Sequence, residues 1–149
     1  MAANGTADPQ GNRERAMAGG PIIWWLRRDL RLDDNTALRA AVARGGAVIP
    51  VFIWAPEEEA DWPPGSAARW WLDRSLRSLS ERLATVGSRL IIRRGSSRRE
   101  LRRLAAETAA EAVVWNKRHE PAALYRDGAE PGSCEVALGP PTGDWPPAQ

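Results

Sequence analysis

Apolar and polar positions along the chain divide it into alternating short apolar runs and longer amphipathic stretches. Ile22 to Leu26 is five apolar residues without polar alternation, the mark of a strand buried on both faces. After a charged turn, an Asp33-Asp34-Asn35 cluster suits a helix N-terminus; Asp34 or Asn35 can cap a helix with Leu38, Ala41 and Val42 on its inner side, ending at Gly45-Gly46. Ala47 to Trp54 reads as a second buried strand. Its Pro50 predicts a local irregularity, because proline gives no ladder hydrogen bond. Ala55 to Gly65, acidic and broken by three prolines, is a loop. Ser66 to Val86 is the longest helix, with Ala68, Leu72, Leu76, Leu79, Leu83 and Val86 in one stripe and Arg69, Asp73, Arg77 and Glu81 as an i, i+4 charge ladder. Arg89 to Arg93 holds a third strand. Ser97-Arg-Arg-Glu100 has capping-box spacing, with Ser96 as the alternative cap, before a helix burying Leu101, Leu104, Ala105 and Thr108. Ala112 to Trp115 is the fourth strand. This order predicts an α/β fold: a Rossmann-like open parallel sheet with helices on both faces.

Length and composition set the domain organisation. A chain of 149 residues accommodates one domain, and at this size a core forms without metals or disulfides. Cys134 and His119 are the only residues of their kinds, which excludes a disulfide framework within the chain, a cysteine-rich zinc site and paired-histidine metal motifs. Residues 1–20 are small and polar and are expected to be disordered, with Met17 as an alternative start. Residues 21–127 carry the strand–helix pattern. Residues 128–149 hold five prolines and four glycines, are expected to be irregular, and leave the sheet incomplete at its C-terminal end. The basic residues are almost all arginine, which with abundant Ala, Gly and Pro points to a G+C-rich gene; reading such a gene out of frame yields a tail of this kind, and that is its expected origin. No apolar run approaches the ~20 residues needed to span a bilayer, so the expected location is cytoplasmic.

Loops that leave the carboxyl ends of parallel strands are where open α/β sheets place ligands. Arg27, Arg28, Asp29 and Arg31 follow the first strand and therefore lie at a candidate binding crevice, the alternative being a solvated connector. Neither Gly-x-Gly-x-x-Gly nor the P-loop pattern occurs, which argues against NAD oxidoreductases and P-loop phosphotransferases.

Two segments are also distinctive in wording. Trp25-Leu-Arg-Arg-Asp-Leu-Arg-Leu-Asp-Asp-Asn-Thr-Ala-Leu38 resembles the opening signature of the DNA photolyase and cryptochrome family, with Leu26 for the usual Phe and Thr36 for the usual Pro. Trp115-Asn-Lys-Arg-His-Glu-Pro121, followed by Arg126-Asp127, is similar to a second element of that family and falls on the same rim. The resemblance runs from about Pro21 to Asp127. It implies the family's α/β domain, which holds an antenna chromophore: a folate such as methenyltetrahydrofolate, a deazaflavin or a flavin. It implies further that FAD and damaged DNA bind a separate helical domain, which would be this chain's missing partner. There, light passed from the antenna to reduced FAD drives electron transfer that splits a pyrimidine dimer.

By the same resemblance Asn116 and Glu120 match a pair that contacts the pterin in folate-binding members. The simpler reading is that Asn116 caps a strand end and Glu120 pairs with Lys117 or an arginine. The resemblance also sets Arg118 where some deazaflavin-binding relatives carry an acid. The tryptophans are read as core (Trp24, Trp25, Trp54, Trp115) or as packing on the sheet or a missing partner (Trp70, Trp71), and not as an electron relay. Three readings follow: an α/β fragment of a photolyase, inactive in repair alone and aggregation-prone; a stand-alone small-ligand or nucleotide-binding module; and nucleic-acid binding through the arginines of Arg89 to Arg103.

Overall fold

The computed structural model describes residues 19–58, 64–116 and 134–138. The expected disorder of the first eighteen residues, and Glu120 with the second signature beyond Asn116, lie outside them. The described elements are β1 (Ile22–Leu26), α1 (Thr36–Ala43), β2 (Val48–Trp54), a short 3-10 turn at Pro56–Glu58, α2 (Ser66–Thr85), β3 (Ile91–Arg94), α3 (Ser97–Thr108), β4 (Ala112–Asn116) and β5 (Cys134–Leu138). They form one sheet in the order β3-β2-β1-β4-β5, parallel through its first four strands.

Side-chain alternation divides each buried strand between two cores. Ile22, Trp24 and Leu26 join Phe52 and Val114 beneath Ala37 and Ala41 of α1 and Leu79 and Leu83 of α2. Ile23, Val51, Ile53, Val113 and Trp115 face Leu101, Leu104 and Ala105 of α3 on the other side. Helices therefore cover both faces, as the strand–helix order requires. The Trp24 indole N–H is fully buried in the first core and finds no acceptor among the described residues.

Pro50 causes no irregularity. Its Cα pairs with Trp24 in an unbroken register from Ile22↔Val48 to Leu26↔Phe52. The Trp54 carbonyl accepts from Gly95 N–H on the β3 side, and the two-residue period turns Pro50 to that same side. Pairing with β3 begins only at Val51↔Ile91, so no donor is needed where proline lacks one.

Both long stripes are narrower than expected. In α1, Val42 is 60% exposed, and burial falls on Ala37 and Ala41, whose short side chains let the helix lie close to the sheet. In α2 only Leu79 and Leu83 are buried; Leu72 and Leu76 pack partly, and Ala68 and Val86 are exposed. A 20-residue helix is about 30 Å long. It overruns strands of four to seven residues, at most roughly 23 Å. Trp70 and Trp71 lie on the overrun, 53% and 65% exposed, edge to face at 5.0 Å with Arg74 over Trp70. Of the charge ladder, Asp73 and Arg77 meet at 2.9 Å in full solvent. The hydrogen bond from Arg77 lowers the Asp73 pKa, and Asp73 raises that of Arg77.

At α3 the capping box does not form. Ser96 is the cap residue, and the Ser97 N–H donates instead to Glu58 Oε1 at 2.7 Å, so a carboxylate from the β2–α2 connection serves the helix N-terminus.

The tail is not irregular throughout. Cys134–Leu138 pairs antiparallel with β4, from Ala112↔Leu138 to Asn116↔Cys134, where no strand was expected. The five residues Cys-Glu-Val-Ala-Leu contain neither Gly nor Pro, and β4 presents unpaired N–H and C=O groups along its outer edge. An antiparallel partner satisfies them without a crossover helix. Among the described residues the sheet thus ends in an antiparallel strand, at the edge the sequence was expected to leave incomplete.

Two substitutions probe the tightest and the most strained points. A Cβ at Gly46 would lie 2.0 Å from the Gly20 carbonyl oxygen, so Gly46→Ala is expected to cost about 2 kcal/mol in denaturant unfolding. Ala109 closes α3 in the left-handed region at φ 51, so Ala109→Gly is expected to stabilise by about 1 kcal/mol in the same assay.

Candidate functional site: the rim between β1 and β4

Strand order reverses at β1. The chain steps from β1 outward to β2 and β3, then returns beside β1 with β4, so α1 and α2 lie on one face and α3 on the other. The carboxyl ends of β1 and β4 consequently flank the topological switch point, the usual place for a ligand in an open α/β sheet. The β1–α1 connection, Arg27 to Asn35, lies on this rim.

Three side chains from separate parts of the sequence interlock there. Asp29 Oδ2 accepts from Asn116 Nδ2 at 2.5 Å and from Asn35 Nδ2 at 3.2 Å, while its Oδ1 accepts from the Arg27 backbone N–H at 3.2 Å. Asn35 Oδ1 accepts from the Leu38 N–H at 3.0 Å, the local cap of α1, and from Asn116 Nδ2 at 2.9 Å. Its Nδ2 also donates to the carbonyls of Arg31 and Asp29. Asn116 Oδ1 accepts from the Ala37 N–H at 2.9 Å, so a residue on β4 caps a helix 79 positions away in sequence.

A count of valences shows what remains. Asn116 uses both amide hydrogens and one of its two acceptor sites; Asn35 is saturated; Asp29 retains acceptor capacity on Oδ1. Asn35 is only 1% exposed, Asp29 and Asn116 partly so. Asp34 before the cap adopts φ 48, a conformation that Asp and Asn tolerate, and Asp33 ties the loop to α2 through Arg82 at 2.6 Å.

The opposite side of the rim is aromatic. Trp25 and Trp115 sit with ring centroids 5.9 Å apart and tilted, and the Arg27 guanidinium lies 4.9 Å over the Trp25 ring. Arg28 is exposed on the same loop and makes further contacts, as does Arg27. Arg27, Arg28, Asp29 and Asn116 thus share one rim, and Asp29 and Asn116 touch. Sequence reasoning treated Asn35 only as a helix cap; its place in an Asp-Asp-Asn cluster gave no sign that it would also meet β4. On the far edge, Arg93 and Arg103 both pair with Glu107, which neutralises part of the arginine-rich face of β3 and α3. Among the described residues no group of acids, histidines or cysteines could hold a metal ion, and no helix is long and apolar enough to cross a membrane.

Comparison with known proteins gives a consistent result. A family model described as DNA photolyase matches residues 22–137, into β5 and ten residues beyond Asp127, where the sequence resemblance stops. The deoxyribodipyrimidine photo-lyase of Agrobacterium fabrum is 49% identical over 109 residues, covering 73% of this chain and 22% of that protein. Cryptochrome-1 of Arabidopsis thaliana is 45% identical over 111 residues, covering 74% and 16%. Among solved structures, a class III photolyase from Agrobacterium tumefaciens superposes with TM-score 0.65 at 46% identity, over 72% of this chain and 22% of that one. An archaeal photolyase from Sulfolobus tokodaii, described with two FAD molecules and an implied novel light-harvesting cofactor, gives TM-score 0.63 at 33% identity, over 72% and 25%. The chain therefore spans about a fifth of the length of such relatives.

The interlock yields a stability prediction. Asn35→Ala removes the α1 cap and strands a part-buried Asn116 amide hydrogen, and is expected to destabilise by about 2 kcal/mol in denaturant unfolding.

Proposed function

Because this chain belongs to the DNA photolyase family, we propose that it is the α/β domain of a light-driven DNA-repair protein and holds an antenna chromophore at the rim between β1 and β4. The observation that carries this reading is the coincidence of the switch point with the convergent polar groups of Arg27, Arg28, Asp29 and Asn116. A flat conjugated ligand needs a few polar contacts at its edge and apolar surface on its face. Asp29 Oδ1 supplies an acceptor, the arginines supply cations, and Trp25 supplies a partly exposed ring. These donors and acceptors suit a folate, deazaflavin or flavin ring, and the resemblance of Trp115–Pro121 to the family adds Glu120 as a candidate pterin contact. When bound, such a group supplies light absorption and transfer of excitation; the protein orients its ring and shields it from water.

Repair itself is assigned to the rest of the full-length relatives, where FAD and damaged DNA are proposed to bind a helical domain. This domain alone is expected to split no pyrimidine dimers under illumination, with or without added FAD. The chromophore assignment is tested by titrating the purified chain with methenyltetrahydrofolate and with riboflavin while following tryptophan emission. Quenching that saturates at one equivalent is expected for at least one of the two, because Trp25 and Trp115 flank the rim. Unchanged emission with both, and with a deazaflavin, contradicts it.

A further inference from the structure

In doubly wound sheets that bind nucleotides, the loop after the first strand and the N-terminus of the first helix together receive phosphate, through free backbone N–H groups and a glycine-rich approach. Here two of those first-turn donors are already engaged. Ala37 N–H is held by Asn116 Oδ1 and Leu38 N–H by Asn35 Oδ1. The Asp29 carboxylate, joined to both of those asparagines, puts a negative charge beside the same helix end. The connection has no glycine to let a phosphate approach the backbone, and Arg27 to Asp34 balances three arginines with three aspartates. The second and third N–H groups of α1 are thus held by the protein's own side chains, one of them from β4.

From this arrangement we infer that the switch-point crevice excludes phosphate and selects a flat ring by a single ring N–H. Asp29 is its specificity-determining residue, accepting that hydrogen through Oδ1. Asn116 is a positioning residue that fixes Asp29 and stoppers α1, and it does not itself touch the ligand. The ring-recognition half rests on the chromophore reading above; the exclusion of phosphate does not.

Asn116 has spent both amide hydrogens within the interlock, so a ligand contact through them would require breaking the bonds to Asp29 and Asn35. Asp29 keeps three donors in place and still has room for a fourth at Oδ1. A ring imide or pterin N–H is a donor of the right kind. A phosphate, which has only acceptors to offer when ionised, would face a carboxylate and find both N–H groups occupied.

Riboflavin and FMN carry the same ring and differ only in a phosphate, so they separate the two parts of the inference. Tryptophan quenching should give dissociation constants for the two within about threefold of each other in the parent chain, and pyrophosphate should neither displace riboflavin nor raise the melting temperature. Asp29→Asn removes the charge, and should weaken riboflavin about tenfold while shifting the riboflavin-to-FMN ratio at least about fivefold towards FMN, an order typical of one charged hydrogen bond. If Asp29→Asn does not fold, Asp29→Ser, which keeps an oxygen for Asn116 without the charge, carries the same comparison.

Asn116→Ala should weaken riboflavin in the parent background and leave it unchanged once Asp29 is substituted, because its effect passes through Asp29. Additive losses from the two positions would overturn the positioning role. FMN binding the parent more than tenfold tighter than riboflavin, or pyrophosphate displacing the ring, would overturn the exclusion. If neither flavin binds, flavin recognition at the rim fails. The exclusion is then decided by melting temperature alone: pyrophosphate stabilising the Asp29 variant but not the parent upholds it, and any other pattern overturns it.

Discussion

Asp29 ties β1, α1 and β4 together where they meet. A carboxylate on the first residues after a buried strand accepts from the backbone of its own loop, from the cap residue of the following helix and from the last residue of a strand encoded 87 positions later. Each bond contributes modestly, roughly 1–3 kcal/mol where a charge takes part. Their effect is larger than that sum suggests, because they share partners: removing any one leaves buried amide hydrogens or helix N–H groups without acceptors. The ends of β1 and β4 are held in register not only by ladder bonds deep in the sheet but also by this lock at the rim, where function in such folds is placed.

The same lock divides the rim in two. On the α1 side the polar groups answer one another, and little is left to bind a ligand. On the α3 side Trp25, Trp115 and Arg27 present aromatic and cationic surface. A ligand that uses a ring face and one edge donor fits this division, whereas a ligand anchored by phosphate does not. On the reading proposed above, a Rossmann-like layer arrangement without the glycine-rich loop would serve a chromophore rather than a dinucleotide anchored in the usual way.

Much of this was legible in the sequence. The buried strands announced themselves as apolar runs of β-branched residues and tryptophan, and the two signatures at Trp25–Leu38 and Trp115–Pro121 identified the family. Helix faces were read less well, because periodicity reports which residues share a stripe and not how far the neighbouring sheet extends beneath it; Ala68 and Val86 lie beyond what the strands cover. Pro50 was misjudged because its effect depends on which neighbour its missing N–H would face. Strand β5 was missed since a short Cys-Glu-Val-Ala-Leu stretch among prolines and glycines has weak intrinsic preference and gains its structure from the open edge of β4. At the rim, Asp29 and Asn116 were both singled out, but no spacing rule could show that they bind each other.

Asn35 and Asn116 are locked partners of Asp29. The most direct measurement is solvent exchange of the asparagine side-chain amides by NMR in the free protein. Both amide hydrogens of Asn116 and of Asn35 are expected to exchange far more slowly than those of exposed asparagines. Rapid exchange at Asn116, as in an unconstrained side chain, would contradict it.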